Sequence, residues 1–214
     1  MGRRRALLRA ALGVVLLCLL ITGVTVAGLW RAVFHPAVDQ PADPADALLV
    51  LGPVDAKLAD AVRLMEGGTA GTLVISDQDQ RDGQPGECRA VVLRTATEAG
   101  WPADRSDDLY CFRPVPVTTQ GEAMGIGELG AQRGWDSLHV LAYPEHISRA
   151  RVLVDRCWSG ESHYLAAPGG PASVGQQEAW DAFWYQSGAL VKAGLTPGCD
   201  TPLPRWLEEL SWRL

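Results

Sequence analysis

Short apolar runs alternate with amphipathic stretches along most of the chain. The apolar runs predict strands at residues 46–52, 71–77, 109–117, 137–143 and 162–167. Apolar residues at helical spacing predict helices at residues 55–68, 86–100, 118–134, 144–157 and 176–194. Strands that alternate with helices through short connections form a parallel sheet with both faces covered. The pattern therefore predicts an α/β fold, a Rossmann-like three-layer sandwich with a mainly parallel sheet, over residues 46–200.

A long uncharged run precedes this pattern. Residues 10–30 carry no charge, and four arginines lie within residues 1–9. At about 1.5 Å per residue a helix of this length spans roughly 31 Å, the thickness of a bilayer core. The arginines place residues 1–9 in the cytoplasm and the α/β domain outside it, in a single-pass protein of the cell membrane. Cleavage as a signal peptide is the alternative, but the run is long for one, and the small-residue pattern near Ala27 is poor.

Two further segments flank the predicted domain. Residues 31–45 contain three prolines and no periodic pattern, which predicts a linker. Residues 201–214 place apolar side chains on one stripe, which predicts an amphipathic helix packed on the domain or lying on the membrane. That stripe comprises Trp206, Leu207, Leu210 and Leu214.

The distribution of charges and cysteines limits the compartments and the classes of partner that suit this chain. The 25 acidic side chains all follow residue 30, whereas four of the 19 basic ones precede it. The acidic domain therefore argues against nucleic acid and anionic lipid as general partners. Cys18 lies in the uncharged run, and the other four cysteines lack metal-site spacing, which favours two disulfides outside the cytoplasm. Spacing alone allows three connectivities, but the predicted edges of the sheet pair Cys88 with Cys111 and Cys157 with Cys199.

Polar residues collect where the predicted strands end, and open α/β sheets bind ligands at that edge. They are Gly52, Ser76, Asp77, Thr118, Thr119, Glu122, Glu145, His146 and Arg149. In "PEHISR", Pro144 and Glu145 suit a helix start without any functional role. A helix N-terminus disfavours a cation, so His146 is expected to be neutral and able to exchange a proton. Arg149, one turn on, is suited to holding a phosphate or carboxylate; the alternative is a half-exposed histidine and a salt-bridged arginine.

Two other motifs have structural explanations. "TTQGE" fits a capping box, with Thr119 as N-cap and Glu122 reaching back to it. "GIGELG" at residues 125–130 matches a dinucleotide-binding pattern, but no strand precedes it directly and no acidic residue follows at the required distance. Packing glycines within a helix are the better interpretation. The four histidines show no metal-ligand spacing, so neither a metal nor a cofactor is expected.

The order of these segments resembles a bacterial family of unknown function that includes SanA, ElyC and YdcF. The resemblance covers residues 46–157 in "DALLVLGP", "KLADAVRLMEGGTAGTLVISD", "VTTQGEA" and "SLHVLAYPEHISRARVL", as an actinobacterial-type, membrane-anchored member. It implies a Rossmann-like fold with a pocket at the strand ends. The implied pocket residues are Gly52, Lys57, Ser76, Thr119, Glu122, His146 and Arg149. The chain departs from the family at three places. Family members usually have glycines after the serine matched by Ser76, where this chain has "SDQDQ", and often Thr-Ser before the histidine segment, where it has "LAYPEH". An asparagine often follows the glutamate, where this chain has Ala123.

Two functions follow as hypotheses. The first is a membrane-anchored extracytoplasmic protein of envelope or cell-wall biogenesis that binds a small anionic ligand, phosphorylated or nucleotide-like, and hydrolyses it or transfers a group. In it, His146 acts as acid or base, Arg149 clamps the anion, and Glu122 orients one of the two. The second is a non-catalytic interaction or regulatory module with protein partners in envelope assembly, which the departures from the family favour.

Overall fold

The computed structural model of the chain describes residues 2–52, 54, 56–77 and 87–200, with the side chains of residues 2–6, 8 and 87–92 left aside. Its strands are β1 (Ala45–Val50), β2 (Ala70–Ser76), β3 (Leu109–Phe112), β4 (Ser137–Ala142) and β5 (Glu161–Ala166). Its α-helices are α1 (Gly2–Phe34), α2 (Leu58–Glu66), α3 (Glu87–Glu98), α4 (Thr119–Arg133), α5 (Pro144–Cys157) and α6 (Gln176–Leu195). Short 3-10 helices cover Ala103–Asp108 and Pro171–Ser173. The helix predicted over 201–214 lies outside the described residues.

The five strands form one parallel sheet in the order β3-β2-β1-β4-β5. Apolar side chains of α2 and α3 cover one face, and those of α4, α5 and α6 cover the other. The residues of β1 are buried apart from Asp46, as expected for a central strand with helices on both faces. The predicted α/β fold with a mainly parallel sheet is therefore confirmed. The strand order reverses direction between β1 and β4, which opens a crevice at their carboxyl ends.

The glycines of "GIGELG" lie inside α4 and let it approach its neighbours. A Cβ on Gly125 would come within 2.3 Å of the Phe112 ring, and one on Gly130 within 2.1 Å of the Trp158 ring. The packing interpretation of this motif is confirmed. Strand β3, in contrast, ends five residues earlier than predicted. Pro114 and Pro116 have no N–H to donate to a neighbouring strand, which accounts for the early end.

Helix α1 continues past its apolar run and is seated on the domain. The segment of residues 9–34 is long and apolar enough to cross a membrane, by length and composition alone. Membrane anchors and signal sequences both meet this criterion. The helix ends at Phe34, not at residue 30, and Val33 is fully buried. The Ser148 hydroxyl donates to the Ala32 carbonyl at 2.6 Å, and Arg151 pairs with Asp39 at 2.8 Å. Much of the predicted linker is therefore packed against α5 and β5.

One of the two predicted disulfides is confirmed. Cys157, at the end of α5, is bonded to Cys199, and their Cα atoms are 5.0 Å apart. Both residues lie at the amino edge of the sheet, as the order of elements predicted. The second predicted pair, Cys88 with Cys111, involves a side chain outside the described residues and stays a prediction.

Candidate functional site

Residues from four segments converge in the crevice at the carboxyl edge of the sheet. Gly52 follows β1, Thr119 opens α4, and His146 and Arg149 lie in the first turns of α5. Lys57 directly precedes α2. The four side chains are all buried, and Lys57 is completely so. The structure thus brings together residues that the strand ends predicted to be neighbours.

His146 lies at the centre of this group. Its Nε2 is 3.2 Å from the Thr119 hydroxyl and 3.0 Å from Nη2 of Arg149. A guanidinium can only donate, so Nε2 is assigned as the acceptor and the ring proton is placed on Nδ1. Burial, and then the nearby charges of Arg149 and Lys57, hold the pKa of His146 well below its usual range. The imidazole is therefore neutral, and the alternative of a half-exposed histidine is wrong.

Arg149 has a buried guanidinium, and no described carboxylate lies within ion-pair distance of it. Its Nη2 donates to His146, and its Nε has no hydrogen-bond partner within the described part of the chain. The guanidinium carbon lies 5.2 Å from the centre of the Tyr185 ring of α6. Among the described residues, the alternative of a salt-bridged arginine therefore finds no carboxylate partner. A charge so placed is well suited to an anion from solution.

Glu122 supports the turn after β1 and does not form a capping box. Its Oε1 accepts from the Gly52 amide at 3.1 Å, and its side chain is fully buried. The N-cap of α4 is Thr118, whose hydroxyl accepts from Gly121 N at 3.2 Å. The predicted capping box is wrong because the N-cap is Thr118, one residue earlier than the predicted N-cap Thr119. This shift frees the Thr119 hydroxyl to reach the histidine.

Lys57 brings a second cation to the crevice. Its Nζ lies 4.2 Å from the centre of the Tyr143 ring. Burial lowers the pKa of Lys57 to about 8, opposed by the carboxylates of Glu122 and Glu145. A Cβ added to Gly52 would be 3.9 Å from both Lys57 Nζ and His146 Nδ1, so this glycine lies between the two side chains.

Ser76 ends β2 at the same edge. Its side chain is fully buried, and its hydroxyl has no hydrogen-bond partner among the described residues. Asp77, the next residue, is half-buried, and its amide donates to the Phe112 carbonyl. The structure therefore leaves a buried donor near the ends of the central strands, and it uses the backbone of Asp77 to pair with β3.

A second set of residues closes the crevice on the α6 side, and of these only Glu145 was expected at this edge from the sequence. Glu145 is buried, and its Oε1 accepts from Ala172 N at 3.4 Å, whereas the sequence suggested only a charge at a helix start. Gly170 has a φ of +113°, and a Cβ there would come within 2.7 Å of that carboxylate. A cavity of about 340 Å³ lies beside it. Its lining comprises Glu145, Pro171, Glu178, Asp181, Ala182, Tyr185 and Gln186. For the others, the only sequence signal was the glycine pair after β5.

Comparisons with known proteins leave the family open. No protein-family model matches the chain, and no curated protein matches it. Among solved structures, it is similar to the terminal R domain from the myxalamid PKS-NRPS biosynthetic pathway, at 13% identity and a TM-score of 0.41. That similarity covers 76% of this chain and 48% of the R-domain chain, so this chain spans about half the length of that domain.

Proposed function

We propose that this chain is an envelope protein anchored by α1, and that the crevice at the carboxyl edge of its sheet binds a small anionic ligand. The observation that carries the proposal is Arg149, a buried guanidinium for which the described residues supply no carboxylate. Burying an unpaired cation costs several kcal/mol, so such a group is retained where a bound anion offsets the cost. The resemblance to the SanA, ElyC and YdcF family supports membership of that family and a role in the envelope.

The ligand class follows from the donors around the guanidinium. Arg149 offers a planar fork that matches phosphate or carboxylate oxygens, and Lys57 adds a second positive charge. His146, with its proton assigned to Nδ1, is a neutral donor directed toward the Gly52 side of the crevice. A phosphorylated or nucleotide-like compound fits this set of donors better than an apolar or cationic one.

The chemistry that His146 performs depends on its ring nitrogens. Nε2 already accepts from Arg149, so it cannot act as a general base while that contact holds. An anion that drew the guanidinium away would free Nε2 and leave the Thr119 hydroxyl 3.2 Å from it. Hydrolysis or group transfer would then have a base beside a hydroxyl or a bound water. Glu122 acts as a positioning residue, because it holds the Gly52 amide.

A second candidate function is a non-catalytic module of envelope assembly. It is favoured by the exposed aromatic rings on α6, of which Trp184 is 67% exposed. In this function the crevice would hold no ligand, and α6 would contact a protein partner. Loss of partner binding with no anion binding would be its signature.

Thermal unfolding of the full chain in detergent micelles separates the two functions. The panel is inorganic phosphate, pyrophosphate, a nucleotide sugar and a polyprenyl phosphate, each tested on the wild-type protein, on Arg149→Ala and on Arg94→Ala. Arg94 is an exposed arginine of α3, so its loss removes the same charge elsewhere. A ligand at a hundred times its dissociation constant stabilises the folded state by about 2.7 kcal/mol. We expect stabilisation in the wild type and in Arg94→Ala, but not in Arg149→Ala. No stabilisation by any anion would refute the binding function.

A further inference from the structure

Helix α1 continues directly from the apolar run into the residues that contact the domain. Trp30 lies at the end of the uncharged run, and its ring is 5.7 Å from that of Phe183, a buried residue of α6. Two residues on, the Ala32 carbonyl accepts from Ser148 of α5. Two helical residues rise about 3 Å, whereas a headgroup layer is roughly 5–7 Å thick. If α1 spans a bilayer, this part of the domain therefore lies at the level of the headgroups.

Two exposed indole rings lie beside this junction. Trp180 is 46% exposed and Trp184 67% exposed, and they are one helical turn apart on the same face of α6. The ring of Trp180 meets that of Trp30 edge to face at 5.8 Å. Phe183, 1% exposed, ties this group to the interior of the domain. Large aromatic rings left in solvent in this way mark a contact surface.

We infer that Trp180 and Trp184 rest in the headgroup layer of the bilayer that α1 spans, so that the domain is seated on the membrane surface. The surface is continuous with the end of the apolar run, because Trp30 contacts Trp180 directly. Tryptophan favours this layer because its ring is apolar and its N–H finds a polar partner there. The domain is acidic, so the seating does not depend on anionic lipid. The inference rests on anchoring by α1, but not on the anion site.

Fluorescence quenching by lipid tests this seating. The full chain is reconstituted in phosphatidylcholine vesicles with and without brominated acyl chains, as wild type, Trp184→Phe and Trp135→Phe. Trp135 is half-buried after α4 and packs on Tyr110, so it serves as the matched control. We expect Trp184→Phe to lower the emission that brominated lipid quenches, and Trp135→Phe to leave it unchanged. Acrylamide, an aqueous quencher, should act equally on the wild type and Trp184→Phe.

Two results would overturn the inference. If Trp184→Phe lowers the acrylamide-quenched emission instead, the ring is in water. If it changes neither component, a protein surface covers the ring, such as a second copy or an assembly partner. Extraction of the wild-type chain from the vesicles by alkaline carbonate would instead disprove the anchoring by α1. Anion binding is measured separately in detergent, so its outcome stays distinguishable from all of these.

Discussion

Replacing Arg149 with methionine should abolish anion binding without destabilising the ligand-free protein. The substitution removes the hydrogen bond from Nη2 to His146, which is worth about 1.5–3 kcal/mol for a charged donor. It also removes a buried cation for which the described residues offer no carboxylate, and whose Nε has no partner. Replacement of buried ion pairs by apolar groups of similar volume is often neutral or stabilising by about 1–4 kcal/mol, and a buried cation without a carboxylate has less Coulombic stabilisation to lose. The two effects oppose each other, so the free energy of unfolding should change by no more than about 1 kcal/mol.

Arg151, two residues on, provides the contrast. Its guanidinium pairs with Asp39 at 2.8 Å, donates to the Ala37 carbonyl, and lies 4.2 Å from the centre of the Tyr164 ring. Arg151→Met therefore loses satisfied contacts and should lower the free energy of unfolding by about 1–2 kcal/mol, since the pair is only partly buried. Its anion binding should persist.

Urea unfolding of both variants in detergent, with the disulfides oxidised, provides the comparison. The thermal shift with the binding anion is measured alongside it. A loss of more than about 2 kcal/mol in ligand-free Arg149→Met would refute the reasoning, because a group that costs free energy when buried cannot stabilise the fold by that amount. The proposal would then lose the observation that carries it.

Three further predictions concern pH, packing and the disulfide. Because the folded protein holds the pKa of His146 well below 6.5, only the unfolded chain takes up this proton as the pH falls below 6.5. The fall in the free energy of unfolding between pH 7 and pH 5 should therefore be smaller in His146→Gln than in the wild type, by up to about 2 kcal/mol. Gly130→Ala should destabilise the protein by about 1–3 kcal/mol through overpacking. Gly188→Ala has nothing within 4 Å of the added Cβ, so it should stabilise the protein by about 0.5–1 kcal/mol. Thermal unfolding compares the two variants. Removing Cys157–Cys199, which spans 42 residues, should cost about 4 kcal/mol by urea unfolding, and a cost near zero would contradict the chain-entropy argument.

The fold followed from local signals wherever those signals were unambiguous. Helix α5 begins and ends at the predicted residues 144 and 157, and its start is marked by a proline at the first helical position, shortly after a largely buried strand. The start of α4 was less certain, since Thr118 and Thr119 are adjacent and both side chains can cap a helix. The choice decides whether Glu122 caps its own helix or holds the turn after β1.

The candidate site was predictable in its position but not in its contacts. The carboxyl ends of parallel strands meet at one edge, so His146 and Arg149 were expected to be neighbours of the loop after β1. The contact of Arg149 with Tyr185 of α6 was not expected, because Tyr185 lies far along the chain and its sequence shows no signal for this contact. The cause of the neutral imidazole also differs. Helix position predicted it, whereas burial and two nearby cations produce it.

The junction with α1 and the anion site use consecutive residues of α5 for different purposes. Ser148 faces the end of α1, and Arg149 faces His146 and Tyr185. Successive helical residues point about 100° apart, so one turn of α5 serves two surfaces with no side chain in common. Loss of the Ser148 contact should therefore change how the domain sits relative to α1 while anion binding persists. Anion binding and the seating on the membrane thus share a helix but stand on separate contacts, and failure of the anion site leaves the argument for the seating intact.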